Sequence, residues 1–188
     1  MDNIILASGS PRRKELLEQI GIDPIIMPSK KEEICKAKSP VATVRYLSKL
    51  KAEDIASIYS DSNKAIVIGA DTVVACDGEI LGKPKDIKDA IRMLILISGR
   101  KHQVYTGVTI IKKGDKSITF FVKTDVNVYT MTLQEIKDYI SKGESMDKAG
   151  AYGIQGSFAA YIERIKGDYS NVVGLPLGRL YKELKNFI

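Results

Sequence analysis

Apolar and polar positions alternate along this chain in two rhythms, and the changes of rhythm mark its elements. Residues 4–7 form a short continuous apolar run, the pattern of a buried strand. A small-residue loop follows, Ser8-Gly9-Ser10. Ser10-Pro11 then opens a helix, with serine as N-cap and proline in the first turn. Leu16, Leu17 and Ile20 give that helix an apolar face, and Gly21 ends it. Residues 25–27 read as a second strand and residues 28–38 as a polar connector. Ser39-Pro40 repeats the helix-start signal. The helix should reach about Ile58, with an apolar stripe at Val44, Leu47, Ile55 and Ile58.

Residues 65–70 form a strongly apolar strand that runs into Asp71 and continues over 72–75. Asp77-Gly78 then signals a hairpin. Asp86 caps a helix carrying Ala90, Met93, Leu94 and Ile97, with Gly99 as its stop. Residues 104–111 and 118–129 read as long strands joined at Gly114-Asp115. Thr132 and Glu135 form a capping box for a further helix, closed by Gly143. Beyond a glycine-rich stretch, residues 158–165 read as a strand, Gly167-Asp168 as a turn, and Leu175 onward as a C-terminal helix. Strands mixed with helices predict an α/β fold on a mixed sheet. A length of 188 residues suits a single domain over 1–188, as one body or two joined lobes.

The net charge of +6 fits an anionic partner without choosing among nucleotides, nucleic acids and membranes. The basic residues are dispersed, and the longest basic run is Arg12-Arg13-Lys14, so no stable nucleic-acid partner is expected. Cys35 and Cys76 make no zinc pattern and are expected to be small buried residues. His102 is the single histidine, so a metal would be held by carboxylates, water and substrate, which points to Mg2+ or Mn2+. Residues 1–7 lack a signal-peptide pattern and no stretch is long and apolar enough for a membrane span, so a cytoplasmic location is expected.

Several residues fit structure alone poorly. Arg12 and Arg13 fall in the first turn of a helix, where the macrodipole disfavours cations unless an anion sits nearby. Lys51 lies within an apolar stripe. It either snorkels to water, which its helix position alone favours, or reaches a polar site. Asp71 ends a run that should be buried, as a turn cap or as a strand-end ligand group. Lys83 follows the hairpin and could face the same site or be an ordinary loop lysine. Gln155 lies among Gly150, Gly153 and Gly156; its amide could read a base edge or simply occupy a loop. Many cations around one strand-end acid suit phosphate-ester chemistry, where positioning and charge neutralisation dominate.

Five segments in series, Leu6-Ala-Ser-Gly-Ser-Pro-Arg-Arg13, Gly69-Ala-Asp-Thr72, Leu81-Gly-Lys-Pro84, Asp147-Lys-Ala-Gly-Ala-Tyr-Gly-Ile-Gln-Gly156 and Val173-Gly-Leu-Pro176, resemble the Maf family of nucleoside triphosphate pyrophosphatases. The resemblance implies a fold similar to the inosine triphosphate pyrophosphatases: an elongated mixed β-sheet flanked by helices, with two lobes around a deep cleft. It also implies a homodimer, a divalent metal and hydrolysis of a nucleoside triphosphate to the monophosphate and pyrophosphate. The proton acceptor would be Asp71. Asp71 and Glu33 would be the metal-side acids, and Arg13, Lys51 and Lys83 the phosphate-binding cations. Ser8 and Ser10 would line the phosphate loop, and Arg12, Thr72 and Gln155 would set base preference. Arg12 and the stretch around Gln155 resemble the branch acting on dTTP and UTP. The alternatives are a 7-methyl-GTP or other modified-nucleotide pyrophosphatase, a γ-phosphatase, and a non-enzymatic cell-division regulator or nucleic-acid-binding protein.

Overall fold

The computed structural model describes residues 3–58, 65–112 and 114–188. Its strands are β1 (Asn3–Leu6), β2 (Ile25–Ile26), β3 (Ala65–Cys76), β4 (Glu79–Leu81), β5 (Lys101–Lys112), β6 (Lys116–Val128) and β7 (Ile162–Lys166). Its helices are α1 (Pro11–Gln19), α2 (Pro40–Ile58), α3 (Ile87–Ile97), α4 (Leu133–Ser141), α5 (Tyr169–Val173) and α6 (Leu177–Leu184). The strands form a mixed sheet in the order β2-β1-β3-β5-β6-β7, with β4 paired to β3. β1 runs parallel to both β2 and β3, so α1 and α2 lie in crossover connections, while the β3–β4 and β6–β7 pairs are antiparallel. Among the described residues no helix is long and apolar enough to cross a membrane.

The chain packs as two compact units. The first contains the residues up to Asp71, Thr106–Val122 and Gly174–Ile188; the second contains Thr72–Tyr105 and Lys123–Val173. In the first unit, α2 lies directly on strand backbone. A Cβ at Gly69 of β3 would meet the Ser48 carbonyl oxygen at 2.3 Å, and one at Gly107 of β5 would meet the Val44 carbonyl oxygen at 2.2 Å. Val44 and Ser48 are one helical turn apart, so two glycines receive successive turns of the same helix. The seam holds Ala52, Ile55, Ile5, Ala7 and Val67, all buried. A hydroxyl chain crosses it, from buried Ser48 Oγ to buried Thr109 Oγ1 at 3.1 Å and on to half-buried Thr119 Oγ1 at 2.9 Å. Ser39 accepts from Ala42 N at the start of α2, as its position predicts.

In the second unit, α3 and α4 pack on each other; α3 buries Ala90, Met93, Leu94 and Ile97, and α4 buries Ile136, Tyr139 and Ile140. Asp86 caps α3 and Thr132 with Glu135 makes the expected capping box on α4. Asp77 and Gly78 both have positive φ, 47° and 82°, which a tight two-residue hairpin requires. His102 is fully buried, and its Nε2 lies 2.7 Å from Tyr152 Oη.

Four expectations need correction. Residues 158–161 belong to a 3-10 turn, Ser157–Tyr161, and the strand begins only at Ile162. Phe158 and Tyr161 pack on each other with ring centroids 5.6 Å apart, and three residues per turn place them on one face where a strand would separate them. Helix α5 precedes the expected C-terminal helix; Asp168 Oδ1 accepts from Ser170 N and Asn171 N and so starts it. Ile58 is 62% exposed, so the apolar stripe of α2 ends one turn earlier. Cys76 is buried, but Cys35 is only half-buried.

The seam glycines have opposite prospects from Gly178, where a Cβ meets nothing within 4 Å. Gly69→Ala should destabilise the protein by about 1–3 kcal/mol through overpacking. Gly178→Ala, in α6, should stabilise it by up to about 1 kcal/mol. Urea unfolding of both variants checks this, and a neutral Gly69→Ala would remove the close approach from the account.

Burial pushes the His102 imidazole from 6.5 down to about 4. The unfolded chain therefore takes up a proton near pH 6.5 that the folded chain refuses until about pH 4. Stability is lost as pH falls through that window and then levels, with this residue contributing about 3 kcal/mol. His102→Gln should flatten that part of the stability–pH profile; unfolding curves at pH 7 and pH 4.5 that respond identically in both proteins would contradict it.

Candidate active site

Asp71 lies inside β3, where every residue from Ala65 to Asp71 is buried. Burial is the largest influence on its carboxyl and raises its pKa; the nearby Lys51 ammonium and Arg13 guanidinium pull the other way without cancelling it. Lys51 reaches Asp71 because α2 lies so close to Gly69. Its Nζ is 2.7 Å from Asp71 Oδ1 and 3.0 Å from Glu33 Oε1. Lys51 thus turns inward to two acids rather than snorkelling to water. One carboxylate oxygen of Asp71 is occupied by Lys51, and the other, Oδ2, is buried without a hydrogen-bond partner among the described residues.

Arg13, near the start of α1, is tied to this strand. Its Nη1 donates to Ser8 Oγ and to the Ala70 carbonyl, each at 2.9 Å, and its Nε donates to the Gly174 carbonyl at 2.8 Å. Burial is the main influence lowering the Arg13 pKa; Asp71 opposes it, and Arg12 adds to it. Ser8 Oγ also accepts from Ser10 N at 3.3 Å. Ser10 is the N-cap of α1 as expected, yet its side chain makes no cap hydrogen bond.

Glu33 is carried by the irregular segment after β2, and Asp54 holds that segment. Asp54 Oδ2 accepts from Ser29 Oγ at 2.7 Å and from Lys30 N at 3.3 Å. Asp54 lies on α2 less than one turn beyond Lys51, so the same helix face presents Lys51 and anchors the segment that brings Glu33 to it. Sequence reasoning passed over Asp54. Its signal was an acid directly before Ile55, at the edge of the apolar stripe.

The structure therefore brings Ser8, Arg13, Glu33, Lys51 and Asp71 together in the first unit, with Arg12 and Ser10 on the same helix start. Thr72, half-buried, is the next residue along β3 and opens the second unit. Lys83 and Gln155 also belong to the second unit, and both are exposed. Among the described residues no group of three or more His, Cys, Asp or Glu is placed to hold a metal ion.

Similarity to known proteins covers the whole arrangement. A dTTP/UTP pyrophosphatase of Agathobacter rectalis is 53% identical over 98% of this chain and 97% of its own length. One from Bacillus pumilus is 50% identical over 100% of this chain and 97% of its own. Among solved structures, a HAM1 protein from Coxiella burnetii covers 99% of this chain and 100% of its own, with a TM-score of 0.55 at 12% identity. That likeness is one of fold, and it matches the expected mixed sheet flanked by helices. The family model described as Maf-like protein matches residues 3–187, and the chain belongs to this family.

Proposed function

We propose that this protein hydrolyses dTTP and UTP to the nucleoside monophosphate and pyrophosphate. The observation that carries the reading is full-length identity of about half with dTTP/UTP pyrophosphatases, such as the 53% with that of Agathobacter rectalis. The buried carboxylate among cations supports the same chemistry.

A divalent metal, Mg2+ or Mn2+, fits the donor set. Asp71 Oδ2 is a buried carboxylate oxygen without a partner among the described residues, and Glu33 adds a second hard oxygen donor on Lys51. One or two carboxylates completed by water and substrate phosphates suffice for Mg2+. When bound by Asp71 and Glu33, such an ion would offset the charge of the triphosphate.

The protein's own groups then divide the work. Lys51 holds Asp71 Oδ1 and so orients the carboxylate, and Asp71 accepts the proton of the water that attacks the α-phosphorus. Burial raises the proton affinity of that carboxylate above that of an exposed one, which makes it a better base. As the new P–O bond forms, the bond from the α-phosphorus to the bridging oxygen breaks and pyrophosphate departs. Arg13, Lys51 and Lys83 stabilise the charge on the phosphate oxygens. The first-turn N–H groups of α1, with Ser8 and Ser10, cradle the phosphates at the positive end of the helix. Arg12, Thr72 and Gln155 select the base.

The test is pyrophosphate release from dTTP, UTP, CTP, ATP, GTP and 7-methyl-GTP in the presence of Mg2+ or Mn2+. dTTP and UTP should be the preferred substrates, and Asp71→Asn should slow their turnover roughly 10²–10⁴-fold. Release mainly from 7-methyl-GTP would overturn the base preference. Orthophosphate as the product, or near wild-type turnover by Asp71→Asn, would overturn the chemistry.

A further inference from the structure

We propose that His102 and Tyr152 are positioning residues for base discrimination, because their buried hydrogen bond fixes the backbone that carries Gln155 three residues on. The inference rests on the reading of Gln155 as a base-selecting residue.

A glutamine amide has both a donor and an acceptor. It can accept from N3–H of uracil while donating to O4. Turned over, it can donate to N3 of cytosine while accepting from its amino group. A freely turning Gln155 would therefore serve both pyrimidines. Discrimination needs the residue held in one orientation, and small displacements of such groups are costly.

The stretch around Gln155 is held at many points. Gly150 N donates to the Gly82 carbonyl at 3.0 Å, and Gly153 N donates to Tyr139 Oη at 3.2 Å. Ser157 N donates to Glu144 Oε2 at 3.0 Å. A Cβ at Gly153 would meet Lys148 Cε at 2.6 Å, and one at Gly156 would meet Glu144 Oε2 at 1.9 Å. Ala151 has φ 62°, a left-handed conformation unfavourable for a residue with a side chain, directly before Tyr152. Such strain persists only where surrounding contacts over-determine the backbone. From Gly150 to Phe158, Gln155 is the one exposed residue.

Tyr152 anchors this stretch from within. Its ring lies 4.6 Å from that of Phe158 and meets the His102 ring edge-on at 5.3 Å. His102 Nε2 lies 2.7 Å from its hydroxyl. Packing does not account for the pair. A neutral imidazole and a phenol carry one donor each, the shared bond uses one, and His102 Nδ1 has no partner among the described residues. Apolar side chains at both 102 and 152 would fill the same space without burying a surplus polar group. What the hydroxyl adds is a fixed point on a backbone that must present one amide in one orientation.

The experiment compares kcat/KM for UTP and CTP in the wild type, Tyr152→Phe, Gln155→Ala and the double variant. Tyr152→Phe, which removes only the hydroxyl, should lower the UTP:CTP ratio about tenfold, the scale of one lost hydrogen bond. The loss should fall on KM for UTP more than on kcat. Gln155→Ala should lower the ratio at least as far, and the double variant no further. His102→Gln, whose amide returns a nitrogen to the place of Nε2, should keep a ratio near wild type. A ratio unchanged in Tyr152→Phe but lowered in Gln155→Ala overturns the positioning role and leaves the base reading standing. A ratio unchanged in Gln155→Ala overturns both. Additive losses in the double variant, or a folded His102→Gln that discriminates as poorly as Tyr152→Phe, would also overturn it.

Discussion

The ion pair between Lys51 and Asp71 is the constraint on which the candidate site depends. A carboxylate inside a buried strand is costly unless a partner offsets the lost hydration. Here the partner comes from the apolar face of α2, and it arrives only because Gly69 and Gly107 let that helix lie against strand backbone. A side chain at either glycine would push α2 outward and lengthen a contact that now measures 2.7 Å. The glycine seam, the buried Ser48–Thr109 hydroxyl contact and the lysine–aspartate pair are three consequences of one close approach.

The same pair explains the chemistry. Lys51 occupies one oxygen of Asp71 and leaves the other buried and unpartnered among the described residues, while burial keeps the proton affinity of the carboxylate raised. Around it the structure supplies charged groups that are themselves held. Arg13 is fixed by Ser8 and two backbone carbonyls, and the segment bearing Glu33 is fixed by Asp54. Charged groups held in place before substrate arrives are what phosphoryl chemistry requires.

Much of this was legible in the sequence because it is written in local rules. Ser39-Pro40, Asp86 and the Thr132–Glu135 box start helices where expected, and Asp77-Gly78 turns the hairpin. The acid at 71 stood out as a charge within an apolar run. What the sequence hid depends on contacts distant along the chain. Lys51 on its own helix favoured a path to water, and only the proximity of β3 turns it inward. Residues 158–161, Phe-Ala-Ala-Tyr, form an apolar run that fits a strand, but the contact between the Phe158 and Tyr161 rings favours a tighter turn. Asp54 carries no motif, and the segment that holds Tyr152 does not point to His102; the partners lie 25 and 50 residues away in the chain.

The most direct test of the central claim is the stability of Lys51→Met, Asp71→Asn and the double variant, measured by urea unfolding at neutral pH. If Lys51 offsets the buried charge of Asp71, then Lys51→Met alone should cost about 3–5 kcal/mol, because it removes the cation hydrogen-bonded to that charge. Asp71→Asn in the same protein should recover much of the loss. A Lys51→Met variant as stable as the wild type, or strictly additive effects of the two substitutions, would contradict the account.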